Sequence, residues 1–90
     1  MRIKVTEEDI EKGRFHINNI CGCPIWHALV RALDLPNGSD LKVMFIHRAL
    51  LGYIHIELPL RAQQWQKLGM ADERSPELVP FTFNAKIRTP

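Results

Sequence analysis

The sequence predicts an α+β fold: a small single domain, 1–90, in which a mostly antiparallel sheet of about four strands packs against two main helices. Three observations lead there. Period-two hydrophobicity recurs at Arg2–Val5, Tyr53–Leu58 and Phe81–Ile87. Two segments open with a proline, Pro24 and Pro59, and carry apolar residues at helical spacing. The length of 90 residues suits one domain and leaves no room for a second core.

The elements follow in order. Arg2–Val5 alternates, with Ile3 and Val5 on one face, and reads as a short strand. Thr6 is a helix cap, and Asp9 three residues on reaches back in a shortened capping box. Glu7, Glu8 and Asp9 suit the positive end of the helix dipole, so a helix is expected over about residues 7–12, with Ile10 inward and Gly13 as its stop. Arg14–Gly22, around Phe15 and Ile17, has no clear period and reads as a loop or irregular strand. Pro24 sits well as the first residue of a helix. Ile25, Ala28, Leu29, Ala32 and Leu33 then form its buried stripe, with Trp26, His27, Val30 and Arg31 beside or opposite it. Pro36-Asn37-Gly38-Ser39 ends that helix in a turn.

Leu41–His47 reads as a strand with Leu41, Val43 and Phe45 on one face. Tyr53–Leu58 reads as its hairpin partner, with Ile54, Ile56 and Leu58 inward and Gly52 in the connection. A helix is expected over about residues 60–68, carrying Leu60, Trp65 and Leu68 and stopped by Gly69. Residues 72–80 are polar, hold two prolines and read as a loop. Phe81–Ile87 is a last single strand with Phe81, Phe83, Ala85 and Ile87 inward. The expected core is Ile3, Val5, Ile10, Ile25, Ala28, Leu29, Leu33, Val43, Phe45, Ile54, Ile56, Leu58, Trp65, Phe81 and Phe83.

Composition bounds the function. The chain is 46% hydrophobic and 24% charged, as ordinary globular domains are, which argues against a disordered tail. Twelve Lys and Arg against ten Asp and Glu give a net charge of +2, too weak a balance for a protein that coats nucleic acid or an anionic membrane. The N-terminus lacks the basic-then-apolar layout of a signal peptide. The longest apolar runs, Val43–Ile46 and Ala49–Leu51, are far short of the roughly 20 residues that span a bilayer. A cytoplasmic protein with no membrane partner is expected. So small a core also suits a homo-oligomer.

The densest chemistry lies in Cys21-Gly22-Cys23-Pro24-Ile25-Trp26-His27. Cys21, Cys23 and His27 offer three zinc ligands, with His16 or His47 as a fourth, but one residue between cysteines is tighter than the usual ligand spacing and no second pair exists. The same spacing is poor for a disulfide, which a reducing cytosol also disfavours. A metal-free reading uses the N–H groups at the helix start to hold an anion, with Trp26 stacking on a base and His27 or Arg31 bonding a phosphate. The blander alternative packs Trp26 on a neighbouring element or a second subunit. Cys23 at a helix start has, in principle, a lowered thiol pKa, with His27 one turn on, but no third residue completes a catalytic set. There is no phosphate-cradling glycine loop and no dinucleotide fingerprint. Elsewhere, His47, Arg48, Tyr53 and His55, with Lys86 and Arg88, make a polar, mildly basic sheet face. Its alternative is a solvated surface opposite the core.

Taken in order, these residues resemble a family of small, mostly uncharacterised phage and bacterial proteins with the layout V-T-x-x-x-I-x-x-G, C-P-hydrophobic, A-L, L-P, W and P-F-x-F. The matching residues are Val5, Thr6, Ile10 and Gly13, then Cys23, Pro24, Ile25, Ala28 and Leu29. Leu58, Pro59 and Trp65 follow, then Pro80, Phe81 and Phe83. Gln63 stands near the position where the pattern has Ala, with Ala62 one place earlier. Trp26 and His27 depart from the small or aliphatic residues of the pattern, and the segment from Trp65 to Pro80 is longer and more charged. The resemblance covers most of the chain and implies this fold and a bacterial host cytosol. By association it also implies a non-enzymatic binding protein without a cofactor. Such a protein inhibits a host antiviral defence system by binding a defence protein or by sequestering a small anionic, nucleotide-like signal. The residues expected to bind are Trp26, His27, Arg31, His47, Arg48, Tyr53 and His55. A nucleic-acid-binding regulator, which the near-neutral charge disfavours, and a small zinc-stabilised interaction module are the alternatives.

Overall fold

A computed structural model describes residues 1–13, 22–35, 41–44, 48–51 and 54–88. Expectations for His16, Cys21, Phe45, His47, Tyr53, the Arg14–Gly22 loop before Gly22 and the Pro36–Ser39 turn lie outside the described residues. The element order is β1 (Arg2–Val5), α1 (Glu7–Lys12), α2 (Pro24–Ala32), β2 (Leu41–Met44), β3 (Arg48–Leu51), β4 (Ile54–Glu57), α3 (Leu60–Ala71), β5 (Phe81–Asn84) and β6 (Lys86–Arg88). The α+β class is as expected, but the described residues hold more elements: three helices, and strands in a two-stranded sheet β1-β5 and a four-stranded sheet β2-β3-β4-β6. Every pairing is antiparallel.

The capping box forms as read. Thr6 Oγ1 accepts from the Asp9 N–H at 3.3 Å, and the Asp9 carboxylate accepts from the Thr6 N–H at 2.8 Å. Gly13 ends α1, although not for the reason expected. Its φ of −76° is open to any residue. What requires glycine is the neighbour: a Cβ here would overlap the Pro24 ring. The start of α2 thus presses on the end of α1.

Pro24 does open α2, with Cys23 as N-cap. The helix ends at Ala32, before the turn residues that were expected to stop it. Asp34 takes a left-handed φ of 52°. Its N–H bonds the Arg31 carbonyl, and the Leu35 N–H bonds the Val30 carbonyl at 3.1 Å. That pair of bonds is a Schellman closure, with aspartate in the place glycine usually fills.

The expected hairpin is a three-stranded meander. Arg48–Leu51 is a strand of its own, paired to β2 on one edge and β4 on the other. Its sequence hides the period. Ala49 is the buried member, and Leu50 stands in the opposite cross-strand row, where an alternating pattern would place a polar residue. The last expected strand is two. β5 pairs with β1, the ladder closes where Met1 and Ala85 exchange backbone bonds, and the next residues pair with β4 as β6. Ile87, expected inside, is 42% exposed because β6 is the edge of its sheet.

Helix α3 runs past Gly69 to Ala71. Its buried face is Ala62, Trp65, Gln66 and Gly69, a stripe at helical spacing made of two small residues, one polar residue and one ring. Leu60, expected inward, is 66% exposed. Gly69 is therefore a packing residue and not a stop. Trp65 lies 4.9 Å from Phe81, ring centre to ring centre, and its Nε1–H donates to the Val79 carbonyl. One continuous cluster joins both sheets to the helices. Of the expected core, Ile10 and Leu33 are only partly buried, while Cys23, Leu41, Ala49, Ala62, Leu78 and Ala85 join it.

Candidate binding site

The chemistry singled out by sequence falls in two places, the start of α2 and the four-stranded sheet. At the start of α2 the side chains are largely engaged with the protein itself. Cys23 Sγ accepts from the Trp26 N–H at 3.4 Å, and the residue is 1% exposed. Burial pushes its thiol up from the ordinary range, against smaller opposing effects of the Trp26 N–H and the Gln66 side chain. The lowered pKa expected of a helix-start thiol is thus overturned, because desolvation outweighs the helix end. Trp26 is half-buried. Its Nε1–H donates to the Leu41 carbonyl at 2.8 Å, and its ring meets His27 edge-on at 4.9 Å. Trp26 therefore ties α2 to β2, which is the blander of its two readings. Burial lowers the pKa of His27, with Asp9 acting the other way.

Arg31 has its anion within the fold. Its Nη1 donates to Asp9 Oδ1 at 2.6 Å, and its Nη2 donates to Asp9 Oδ2 at 2.8 Å and to the Lys4 carbonyl at 2.7 Å. The fork is bidentate, the strong form of such a pair. Asp9 is 3% exposed, so the acid expected at the helix start is also part of a buried junction of β1, α1 and α2. Burial alone would raise its pKa. The hydrogen bonds from Arg31 and Thr6 outweigh that and hold it below the usual carboxylate value. No separate sequence signal marks Asp9 as Arg31's partner, since the two are 22 positions apart.

The sheet is different. Val43, Ala49 and Ile56 are buried and in register, which fixes the inner face. The register puts two other cross-strand rows on the opposite face. One runs Lys42, Leu50, His55, Arg88, and the next runs Met44, Arg48, Glu57, Lys86. His55, Glu57, Lys86 and Arg88 are exposed. Arg48 and His55, expected to share a face, do so, with Lys86 and Arg88. Glu57 is the carboxylate among them, and its Oε1 forms an ion pair with Arg88 Nε at 2.9 Å. Lys42 was missed as a member of this face. Its signal, a lysine between two inward residues of a strand, was present in the alternation.

Among the described residues no cluster of three or more His, Cys, Asp or Glu side chains is arranged to hold a metal ion, and no helix is long and apolar enough to cross a membrane. The zinc reading turns on Cys21, His16 and His47, which lie outside them. A surface depression bordered by Lys4, Val5, Pro80, Phe81 and Thr82 measures about 110 Å³. That is small beside the roughly 300–1,000 Å³ of ligand pockets. No family model, curated protein or solved structure matches this chain.

Proposed function

We propose that this is a non-enzymatic binding protein whose outer sheet face takes an acidic surface of a partner protein. In the phage setting that the sequence layout implies, the partner is a host defence protein, and covering its surface inhibits it. The observation that carries this reading is the register. It places Lys42, Arg48, Lys86 and Arg88, with His55, at positions in the same two cross-strand rows as Glu57, the one acidic residue among the eight. Four cations against one anion, in a chain of net charge +2, concentrate positive charge on one face. Met44 and Leu50 stand among them, and such mixing of apolar and basic residues suits a protein surface.

The alternatives have less support. The eight positions of the two rows hold no Phe, Tyr or Trp, and His55 is their single ring, whereas sheet faces that bind single strands stack successive bases on several aromatic side chains. A small anionic signal at the start of α2 would have to displace Asp9 from Arg31. Thiol chemistry needs a thiolate, and burial works against one at Cys23.

The test is an NMR titration with three probes: a glutamate-rich peptide, a short thymidine oligonucleotide and a cyclic dinucleotide. The peptide is expected to shift the amides of Lys42, Arg48, His55, Lys86 and Arg88, and to dissociate as salt rises. The paired substitution Arg48→Glu with Arg88→Glu should abolish that response. Peptide binding unchanged by this pair, or binding of the oligonucleotide or dinucleotide alone, would overturn the reading.

A further inference from the structure

The register also bears on how the partner docks. β6 is the edge strand of the four-stranded sheet; among the described residues β4 is the only strand paired to it. An edge strand offers backbone N–H and C=O groups to an incoming strand. The side chains of β6 say which strand would fit. Lys86 and Arg88 lie on the outer face, and Ile87 lies on the core face, 42% exposed. Its cross-strand partner Ile56 is 1% exposed. The core face is therefore closed on the β4 side of Ile87 and open on the other.

β4 displays the complement on its own side of β6. Glu57 stands opposite Lys86, Ile56 opposite Ile87, and the Glu57 carboxylate reaches diagonally to Arg88. On β4 the position opposite Arg88 is His55, so Glu57 is the one acid facing both cations. We infer that the free edge of β6 accepts an extended segment of the partner with the pattern acid, apolar, acid, which supplies an acid to each cation. The apolar residue of that segment would cover Ile87, and its acids would face Lys86 and Arg88. The two cations also discourage a second copy of β6 from pairing there, since like charges would lie close across the seam. The edge thus selects an acidic strand over its own copy. This inference rests on the proposed reading of the sheet face and specifies the mode of docking.

Three peptides test it on the full chain: Glu-Val-Glu-Val-Glu, the same sequence with N-methylated backbone amides, and the block sequence Glu-Glu-Glu-Val-Val. The alternating peptide should bind about tenfold more tightly than either control, a ratio that one or two ladder hydrogen bonds would produce. It should also slow amide exchange along Lys86–Arg88. Ile87→Asn, at an exposed position, should weaken the alternating peptide several-fold and leave the block peptide unchanged. Equal binding of all three peptides would overturn strand addition and leave the charged face standing. Binding of none would overturn both. Self-association abolished by Lys86→Glu would assign the edge to a second copy and overturn the choice of an acidic partner.

Discussion

The α1–α2 corner and the outer face of the sheet both carry arginine, yet the fold holds the two differently. At the corner, the Arg31 guanidinium is gripped by both oxygens of Asp9 and by the Lys4 carbonyl. On the sheet, Glu57 meets Arg88 through one nitrogen, at 2.9 Å, with both side chains about half exposed. Among the described residues the remaining Arg88 nitrogens have no partner. The difference lies in what the fold supplies. A cation whose anion is built into the chain joins elements together, and under the proposed function one left in excess meets another molecule. Substitutions at the corner should therefore move stability, and substitutions on the face should move binding.

The largest effect is expected at Gly13. A Cβ there meets the Pro24 ring, part of a helix start that cannot shift without disturbing the buried Cys23 and Ile25. Gly13→Ala should cost about 2–3 kcal/mol in denaturant unfolding, in the range of overpacked cores. A cost no greater than that of an ordinary surface change would show that α1 and α2 are not pressed together there.

Asp9 comes next. Asp9→Ala removes a cap acceptor and the partner of Arg31, and should cost about 2 kcal/mol. Arg31 limits the loss, because it is half exposed and can turn to water. The same group sets an acid dependence. The folded state binds the Asp9 proton less readily than the unfolded chain does, so this contribution is complete above the ordinary carboxylate value of 3.8 and is lost as pH falls through the lower, folded value. Wild type should therefore lose stability below about pH 4 more steeply than Asp9→Ala. Parallel curves would mean that the pair contributes nothing through its charge.

These two sites also show where the sequence was legible. The cap, the proline start and the period-two strands were readable because each depends on neighbours a few positions apart. Asp9 was identified as a cap for that reason, while its ion pair was not, since Arg31 lies on another helix. Burial of the α3 face was invisible because Ala62, Gln66 and Gly69 are not apolar enough to mark a stripe. β3 was lost because Leu50 breaks the alternation. On the face, Arg48, His55, Lys86 and Arg88 could be listed from sequence, but only the register brings them into two adjacent rows.

Trp26 lies between the two regions. Its indole N–H ties α2 to the Leu41 carbonyl on β2, and Trp26→Phe keeps a ring while deleting that donor. The expected cost is about 1 kcal/mol, the net worth of one hydrogen bond. Acidic-peptide binding should be unchanged. If affinity fell instead while stability held, Trp26 would be an interface anchor and the site would belong at the start of α2.

The smallest stability effect, and the sharpest test of the comparison, is expected from Lys86→Gln with Arg88→Gln. Both side chains are exposed, and a surface pair such as Arg88–Glu57 contributes about 0–1 kcal/mol. The double variant should unfold within about 0.5 kcal/mol of wild type. Its affinity for the alternating acidic peptide should nevertheless fall by about tenfold or more at low salt, because two cations next to the free edge are gone. Raising the salt should narrow the gap between variant and wild type, since the interaction removed is a screened one. A large loss of stability would place these residues with Arg31, as parts of the fold. An unchanged affinity would mean that the excess charge of this face is only solvated surface, and the two regions would then differ in burial but not in role.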